Sequence, residues 1–515
     1  MAAPQVCVVN LGCRVNRVES DRMAEELVAA GLSLGTEDGA ALVVINTCAV
    51  TGEAEAKTRK AVRHALSEPQ EPFVVVTGCA VNLHPGEFAA LSARVVEEPL
   101  KSRVPARAIE LLHANLAETD KTDAHILAGT EVFDSVDEAN LAETEQLDTK
   151  NQQNPAINPI QLLGRSRLGV KIQDGCDNRC SYCIVWKARG PERSEAPDDV
   201  LAQVCAAAAA GVPEVVLTGV NLAAYRWERS EGGVLGLDGL LRRILDETDI
   251  PQVRLSSLEP LDVTPGLVEV MAARSDRVAP FLHLPLQSGC TATLRRMHRP
   301  YTAERYAEVV DMVRSGVPSI ALACDVIVGF PGETDEEFEE SYAFCERMGF
   351  SRMHVFRYSA RPGTPAAEAP DQVPPQVMAE RSRRLRELGQ RMARADAASR
   401  IGTHERAVLE DGLQGTLGSF HRVVVDDLPP ACGASSSRRP DAVGAASDDR
   451  VPLVAGMNPG RMDIAGAASD DHAPEGAPSP GGSAGVGEPA ARLVDVAIMS
   501  LDDDGLLHGR IAHQD

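Results

Sequence analysis

The chain has 515 residues, which exceeds a single hydrophobic core and indicates about three domains. Its net charge of −24 excludes a generally basic nucleic-acid coat, so any RNA binding would depend on local patches. Twelve cysteines in a long chain with no basic segment at its N-terminus favour metal ligation or catalysis over a disulfide framework. No apolar stretch approaches the roughly 20 residues of a membrane-spanning helix, and the expected compartment is the cytoplasm.

The first hundred residues repeat a unit in which an apolar run, typical of a buried strand, precedes a helix-like stretch. The three runs are Val6 to Asn10, Ala41 to Ile45 and Phe73 to Val76. They lead into Cys13, Cys48 and Cys79, at spacings of 35 and 31 residues that suit βα units. Because parallel strands joined by helices share one carboxyl edge, we expect the three thiols to converge there. The alternative is three unrelated core thiols.

Residues 114–161 are acidic and rich in Asn and Gln, and they are predicted to form a linker with some helix. A second βα series follows. Its apolar runs predict six strands, at Leu168–Gln173, Val215–Thr218, Val253–Leu255, Phe281–Leu284, Ala321–Val328 and Met353–Tyr358. Six such strands with intervening helices favour an open or partial barrel.

Directly after the first of these strands stands the strongest motif of the chain, Cys176-Asp-Asn-Arg-Cys180-Ser-Tyr-Cys183. Three thiolates at this spacing can bind three irons of a cubane cluster and leave the fourth iron open. The alternative is a zinc knuckle, but such sites usually close with four ligands, and no fourth Cys or His lies close by. Core packing is expected for most of the other cysteines, Cys7, Cys205, Cys290, Cys324, Cys345 and Cys432.

A long helical pattern without proline runs from Val377 to Arg400 and is the clearest basic patch, although a solvated helix face would look the same. Its arginines are Arg381, Arg383, Arg384, Arg386, Arg391, Arg394 and Arg400. Short strands are then predicted at Arg406–Leu409, Phe420–Val425 and Leu493–Met499, and they favour a small β-barrel. Residues from about 428 to 490 have too little apolar content to fold and are predicted to be a disordered insertion.

Taken together, these motifs resemble those of the radical S-adenosylmethionine methylthiotransferases, over about residues 4 to 113, 162 to 425 and the last strands. The segments that carry the resemblance are Leu11-Gly12-Cys13-Arg14-Val15-Asn16, Val44-Ile45-Asn46-Thr47-Cys48, Thr77-Gly78-Cys79, the Cys176 to Cys183 motif, His283-Leu-Pro-Leu-Gln-Ser-Gly289 and Asp325-Val-Ile-Val-Gly-Phe-Pro-Gly-Glu-Thr334. The resemblance implies an α/β protein with two [4Fe-4S] clusters and S-adenosylmethionine as cofactors. The implied domains are a parallel α/β domain at 1–113, a linker at 114–161, a partial (βα)6 radical domain at 162–400 and a TRAM-like β-barrel at 401–515.

The resemblance also implies roles for individual residues. Cys176, Cys180 and Cys183 would be catalytic and hold the radical cluster, and Cys13, Cys48 and Cys79 would hold an auxiliary cluster. The implied cofactor-binding positions are Tyr182, Thr218, Gly219, Ser257, Gln287 and Val328. His283 is expected to be a hydrogen-bonded wall of the barrel rather than a base. Two positions depart from the family pattern, because Ile184–Gly190 lacks the usual proline and Glu195 stands where a basic residue is usual.

The Leu-Gly-Cys-Arg-Val-Asn opening and Ser256–Glu259 look most like the branch that methylthiolates N6-threonylcarbamoyladenosine at position 37 of tRNA. Phosphate contacts are expected from the Arg-rich helix and from Arg295, Arg296, His298 and Arg299. One alternative is isopentenyladenosine-37 of tRNA. Another is an aspartate of a basic ribosomal protein, because residues 401–515 hold 8 basic and 18 acidic side chains.

The alternative outside enzymology is an iron–sulfur protein that binds RNA or senses redox state without turnover. The expected partners are the anticodon loop of tRNA at adenosine 37 and a reducing electron donor such as flavodoxin or ferredoxin. The chain is expected to be a monomer that does not enter a membrane.

Overall fold

The computed structural model describes residues 3–50, 52–119, 162–163, 165–230, 232–426 and 491–512. Within these ranges an open parallel sheet, a six-stranded partial barrel and a closed barrel follow one another along the chain, which confirms the expected fold class. Most of the expected linker at 114–161 and the expected insertion at about 428–490, with Cys432, lie outside the described residues. None of the helices in the described ranges combines the length and apolar character that crossing a membrane requires.

The N-terminal sheet is parallel throughout, with strand order β2-β1-β3-β4-β5. Its strands are β1 (Gln5–Asn10), β2 (Ser33–Leu34), β3 (Leu42–Thr47), β4 (Phe73–Gly78) and β5 (Val95–Glu97). Its helices are α1 (Arg14–Ala29), α2 (Gly52–Ser67), α3 (Cys79–Leu83) and α4 (Val104–Thr119). Alternate residues of β3 enter two different core clusters, Val43 and Ile45 in one and Leu42 and Val44 in the other. The sheet is therefore covered on both faces, and its carboxyl edge is left for ligands.

The second unit is an open barrel. Its strands in chain order are β6 (Leu168–Lys171), β7 (Gln173–Asp174), β8 (Arg193–Ser194), β9 (Val215–Thr218), β10 (Arg226–Glu228), β11 (Val234–Gly236), β12 (Val253–Leu255), β13 (Phe281–His283), β14 (Ala321–Val328) and β15 (Arg352–Arg357). Strands β6, β9 and β12 form one parallel sheet, and β13, β14 and β15 form another. Parallel bridges from Val253 to Val278 and from Ser257 to His283 join the two sheets into one row of six strands.

Helices between and after these strands accompany the barrel. They are α5 (Val185–Arg189), α6 (Pro197–Ala209), α7 (Leu237–Glu247), α8 (Pro265–Ala273), α9 (Thr291–Arg296), α10 (Ala303–Gly316), α11 (Asp335–Met348) and α12 (Pro375–Ser399). Local sequence sets their ends. At α11, for example, Thr334 and Glu337 form a capping box, and Gly349 closes the helix in the left-handed conformation with φ 59°.

The C-terminal barrel is closed, with strand order β16-β17-β18-β20-β19. Its strands are β16 (His404–Asp411), β17 (Gln414–Leu417), β18 (Arg422–Val425), β19 (Arg492–Leu501) and β20 (Leu507–Ile511). The predicted strand at Phe420–Val425 begins two residues later, because Phe420 has a left-handed backbone with φ 72°. The sequence pattern did not indicate β17 or β20, which are short.

A buried ion pair fastens the C-terminal barrel to the radical domain. Arg254 on β12 lies 2.8 Å from Glu214, measured between Nε and Oε1, and both side chains are almost completely buried. The same guanidinium donates hydrogen bonds to the backbone oxygens of Gly418 (2.8 Å) and Leu417 (3.2 Å) in the C-terminal barrel. Burial would raise the pKa of Glu214, but Arg254 outweighs it and lowers the pKa. The anionic carboxylate and the cation therefore compensate each other inside the interface.

We expect Arg254→Ala to lower the free energy of unfolding by roughly 3–5 kcal/mol, because it leaves the Glu214 carboxylate buried without its cation. Urea titration of the full chain measures the loss. Arg243→Ala is the matched control: Arg243 pairs with Glu247 on the surface of α7, and its loss should change stability by about 0.5 kcal/mol or less. Equal effects of the two substitutions would contradict a docking role for Arg254.

Candidate active site

The three cysteines of the N-terminal sheet lie where its central strands end. Cys13 follows β1 and precedes α1, Cys48 directly follows β3, and Cys79 follows β4 as the first residue of α3. Burial is the main cause that raises the pKa of Cys48 to about 12, and the nearby Cys13 and Cys79 thiols add to it. Cys48 and Cys79 are buried, whereas Cys13 is exposed. The structure thus brings together the three cysteines that the strand pattern predicted to converge.

Gly78 permits this convergence. Its φ is 101°, and a Cβ at this position would lie only 2.6 Å from the backbone oxygen of Thr47. Thr47 also accepts a hydrogen bond from the Ala80 N–H (3.1 Å) through its hydroxyl, which in turn donates to the Thr77 backbone oxygen (2.7 Å). A side chain at Gly78 would therefore push the loops bearing Cys48 and Cys79 apart.

The second set of cysteines lies in the loop between β7 and α5. Cys183 accepts a hydrogen bond from the backbone N–H of Val185 (3.4 Å), and its own N–H donates to the Cys180 backbone oxygen (3.1 Å). Arg299 donates from Nη1 to the Cys180 sulfur at 3.2 Å. Burial raises the pKa of Cys183 to about 11, with the Cys180 and Cys176 thiols adding to the effect. The three thiols are therefore close to one another and beside a fixed cation.

The number and spacing of the sulfurs bear on what each cysteine set could bind. The eleven cysteines of the described ranges are all free thiols. In those ranges, the one set of three His, Cys, Asp or Glu ligand atoms that lie within 4.8 Å of one another is His283, Asp325 and His354. In neither cysteine set do all three sulfurs lie within 4.8 Å of one another, whereas a tetrahedral zinc ion would hold thiolates about 3.8 Å apart. Three thiolates are the ligand set of a [4Fe-4S] cluster with one open iron.

The two sets of cysteines flank one short helix. Cys183 stands just before α5, and Arg189 at the other end of α5 is close enough to Cys79 and Cys13 for the thiolates to raise its pKa. The Asn82 amide on α3 donates to the Ala188 backbone oxygen at 2.9 Å. Because five helical residues span about 8 Å, the two sites lie within one substrate's reach of each other.

An ionic network holds these elements in place. The Arg189 Nη1 lies 3.1 Å from Glu19 on α1 and 2.9 Å from Asp174 on β7. Glu19 also contacts Lys101 and, at 3.3 Å, Lys171. Burial would raise the pKa of Glu19, but Lys101, Arg189 and Lys171 outweigh it and lower the pKa to about 2. The network thus joins the N-terminal domain to the loop that carries the second set of cysteines.

The residues expected to bind S-adenosylmethionine lie at the carboxyl ends of the barrel strands. Thr218 ends β9, Val328 ends β14, and Gly219 is so close to Gln173 that a Cβ would lie 2.9 Å from its Oε1. Ser257 follows β12, and its hydroxyl lies 2.6 Å from Nδ1 of His283.

The other two expected cofactor-binding positions are held by their backbone and ring contacts. Gln287 has φ 65° and donates its N–H to the Asp325 backbone oxygen at 2.8 Å. Tyr182 packs edge-on against Phe330, with ring centroids 6.3 Å apart. The topology thus brings the expected positions to one rim.

The loop that departs from the family pattern is held by ring contacts. Trp186 on α5 has the Arg179 guanidinium 4.5 Å and the Lys187 ammonium 5.2 Å from its ring centroid. Lys187 also donates to the Gly363 backbone oxygen at 2.7 Å. Trp186 therefore packs beneath the two cations without the usual proline.

Several residues that shape the site were not identified from the sequence, or were given another role. Arg299 was expected to contact phosphate, but its side chain is only 5% exposed, pairs with Glu259 and donates to Cys180, so that expectation is wrong. Arg296 pairs with Glu337. Nothing in the sequence could have matched Arg299 with Glu259, which lies 40 positions away.

The Arg-rich helix α12 is less basic in three dimensions than in sequence. Arg381 is buried and pairs with Glu333 (2.6 Å). Arg383 bonds Glu380 and Glu387 on the same helix. Most of the helix's arginines are thus neutralised by acidic neighbours. Arg386 and Arg394 line a groove, in which Arg394 lies 3.8 Å from Asp503.

That groove, which we name the β15 groove, has a volume of about 1160 Å³ and runs between β15, α12, the start of α2 and loops of the C-terminal barrel. Its charged side chains are Lys57, Arg352, Arg386, Arg394 and Arg422 on the basic side and Glu53, Asp503 and Asp504 on the acidic side. His354 and His421 also line it. In a chain with a net charge of −24, the groove is a local surface with an excess of cations.

We expect Glu19→Gln to lower the free energy of unfolding by about 3 kcal/mol at pH 7, since the pKa of Glu19 falls from 4.5 to about 2 on folding. A carboxyl whose pKa is lowered in the folded state stabilises it above the unfolded-state pKa. The difference between the two proteins should therefore vanish as the pH falls from about 4.5 to about 2. Urea titrations of the cluster-free chain across this range measure it.

Glu26→Gln is the control for the substitution, because Glu26 pairs with Arg22 on the exposed side of the same helix. It should change stability by about 0.5 kcal/mol or less at every pH. A stability difference between wild type and Glu19→Gln that is independent of pH would contradict the network.

Comparison with known proteins agrees with this arrangement. Residues 170–345 match the radical SAM superfamily, and residues 5–96 match the uncharacterized protein family UPF0004. The chain is 34% identical over 406 residues to a threonylcarbamoyladenosine tRNA methylthiotransferase, MtaB, from Bacillus subtilis, covering 78% of this chain and 82% of that protein. It is 33% identical over 380 residues to a tRNA-2-methylthio-N(6)-dimethylallyladenosine synthase from Novosphingobium aromaticivorans, covering 73% and 80%.

Solved structures resemble the chain more distantly. The radical S-adenosylmethionine methyltransferase TsrM from Kitasatospora setae covers 71% of this chain and 77% of its own, with a TM-score of 0.48 and 15% sequence identity. The family of the chain is therefore assigned from the relatives of similar sequence and not from the solved structures.

Proposed function

Because the chain belongs to the radical S-adenosylmethionine methylthiotransferases, we propose that it methylthiolates tRNA, converting N6-threonylcarbamoyladenosine at position 37 to its 2-methylthio derivative. One observation carries the proposal. Two sets of three cysteines flank the five-residue helix α5. An enzyme that activates a C–H bond and delivers sulfur to the same carbon needs two such sites within reach of one substrate.

The enzyme uses two [4Fe-4S] clusters and S-adenosylmethionine. When bound, these groups supply reductive cleavage of S-adenosylmethionine and a sulfur that carries a methyl group. We assign the cluster used for that cleavage to Cys176, Cys180 and Cys183, and the auxiliary cluster to Cys13, Cys48 and Cys79. S-adenosylmethionine is assigned to the rim formed by Tyr182, Thr218, Gly219, Ser257, Gln287 and Val328.

Two arginines would prepare the cysteines for this role. Arg299 donates to Cys180, and Glu259 holds the guanidinium in that direction. Arg189 places its cation beside Cys79 and Cys13. A neighbouring cation stabilises a thiolate, which is the form that binds iron. Both arginines are nearly buried, so water screens their charges little.

The substrate is the finer part of the proposal. The relatives are named for two different tRNA nucleosides, one threonylcarbamoylated and one dimethylallylated, at similar identity. The sequence segments Leu11–Asn16 and Ser256–Glu259 favour the first. The acidic C-terminal region favours a basic ribosomal protein as the second candidate, since residues 401–515 hold 8 basic and 18 acidic side chains. We expect the enzyme to act in the cytoplasm as a monomer, with flavodoxin or ferredoxin as electron donor.

Mass spectrometry of tRNA nucleosides tests the substrate. A strain that lacks this chain should lose 2-methylthio-N6-threonylcarbamoyladenosine and regain it when the gene is restored. Restoring the Cys48→Ala variant should leave the nucleoside absent. Loss of 2-methylthio-N6-dimethylallyladenosine instead would identify dimethylallyladenosine as the substrate. An unchanged nucleoside profile would point to the ribosomal protein.

Assays in vitro should distinguish the roles of the two cysteine sets. We expect Cys180→Ala to abolish 5′-deoxyadenosine formation, because the radical cluster loses a ligand, whereas Cys48→Ala should retain it and lose sulfur insertion. Liquid chromatography of reduced, reconstituted enzyme with tRNA measures both products. Cys205→Ala, an exposed cysteine on α6, is the control and should retain both. Sulfur insertion by the Cys48 variant would refute the auxiliary-site assignment.

A further inference from the structure

The β15 groove follows the open side of the radical-domain barrel. Strand β15 is the last of the six barrel strands and pairs with β14 on one side. Residues 351–356, which include most of β15, line the groove, and α12 and the C-terminal barrel form its other walls. The groove therefore runs along the last strand of the open barrel.

A chain of polar contacts connects that rim with the groove. The Ser257 hydroxyl lies 2.6 Å from Nδ1 of His283, whose Nε2 lies 3.0 Å from Oδ1 of Asp325. The same Asp325 oxygen lies 3.3 Å from Nδ1 of His354. Burial would raise the pKa of Asp325, but His283 and His354 outweigh it and lower the pKa below its usual range. The carboxylate is thus an acceptor for both rings and fixes their orientation.

This series of polar contacts leaves one ring nitrogen of His354, Nε2, without a hydrogen-bond partner among the described residues. Because Asp325 accepts at Nδ1, the other ring nitrogen, Nε2, is the free one, and it is buried without a hydrogen bond among the described residues. His354 lines the groove. A buried polar atom of this kind is expected to meet a partner in the functional complex.

Arginines stand on both sides of this histidine. Arg352 is two residues before His354 on β15 and lies over the Phe420 ring at 4.8 Å. Arg386 reaches from α12 to β15, where its Nη2 donates to the Val355 backbone oxygen at 3.3 Å. Both line the groove. This wall therefore offers a histidine and two guanidinium groups, which suit an anion with further polar atoms.

The two nucleosides modified by the relatives differ in what they would place against this wall. A threonylcarbamoyl group carries a carboxylate, a hydroxyl and a ureido N–H, whereas a dimethylallyl group is a hydrocarbon. A hydrocarbon would cover these polar side chains without forming hydrogen bonds to them, and burying unpaired polar groups costs binding energy.

We propose that His354, Arg352 and Arg386 form the subsite for the threonylcarbamoyl group and select it against the dimethylallyl group. The inference rests on the proposed function, because it takes adenosine 37 of tRNA as the substrate. Asp325 and His283 are positioning residues that orient His354. The carboxylate lies against the guanidinium groups, and the hydroxyl or ureido group meets His354 Nε2.

The test compares binding of labelled anticodon stem-loop RNAs that carry either a threonylcarbamoyl group or an unmodified adenosine at position 37. Full-length reconstituted enzyme is titrated by fluorescence anisotropy. For His354→Phe and Arg386→Met we expect the Kd of the threonylcarbamoyl RNA to rise about tenfold, the loss expected for a hydrogen bond to a charged group. The Kd of the unmodified RNA should change much less than that of the threonylcarbamoyl RNA.

Arg391→Met is the matched control, because Arg391 lies on another face of the same helix and donates to the Tyr342 hydroxyl. It should leave both Kd values unchanged. Wild-type preference for the threonylcarbamoyl RNA that survives in both subsite variants would overturn the inference. Modification of dimethylallyl RNA alone by the wild-type enzyme would instead show that the proposed function has failed, and this outcome needs no variant. His354→Gln, which keeps a polar side chain, should recover part of the lost affinity if the subsite is correct.

Discussion

The position of the Arg189 guanidinium decides how the two cysteine sets face each other. It lies between Glu19 of the N-terminal domain and Asp174 of the radical domain, and its side chain is 6% exposed. Each half of the site is built by its own parallel sheet, and sheets alone say nothing about their relative placement. Buried ion pairs add little net stability because desolvation offsets much of the Coulomb attraction, yet they tolerate few geometries. The network therefore acts mainly as a positional constraint.

Arginine has this role at both ends of the radical domain. Arg189 joins it to the N-terminal domain, and Arg254 joins it to the C-terminal barrel through Glu214 and two backbone oxygens. The planar guanidinium can satisfy several acceptors in fixed directions, which a lysine ammonium cannot do. The radical domain is thus held from two sides by directional contacts, and the β15 groove is the space that remains between the three domains.

Local patterns in the sequence were sufficient to predict the strands of the open barrel and the position of the cysteines at strand ends. Apolar runs predicted all six strands of the open barrel, and the cysteines at strand ends followed from the rule that parallel strands share a carboxyl edge. The strands β17 and β20 were not predicted because glycine and polar residues interrupt their apolar residues. The helix that begins at Val104 also continues to Thr119, beyond the boundary expected at residue 113.

Pairings between residues distant in sequence were not predicted, for a different reason. The pairings of Arg299 with Glu259, of Arg189 with Glu19 and of Arg254 with Glu214 each span 40 or more positions, so no local pattern marks them. The arginines of α12 were visible in the sequence, but the acidic residues that neutralise Arg381 and Arg384 belong to α11 and to the turn before it. A count of charges along one helix therefore overstated its basic character.

The order of strands in the C-terminal barrel has a consequence for synthesis. Strands β16, β17 and β18 are complete at Val425, but their neighbours β19 and β20 begin only at Arg492. At ordinary elongation rates the ribosome needs roughly 3 to 13 s to make the intervening residues. During that interval β19 and β20, which pair with the outer edges of β16 and β18, have not been made, and unpaired edges invite association with other chains. Docking of Leu417 and Gly418 against Arg254 is available in this interval, so the radical domain can act as a template that shelters the half-made barrel on the nascent chain.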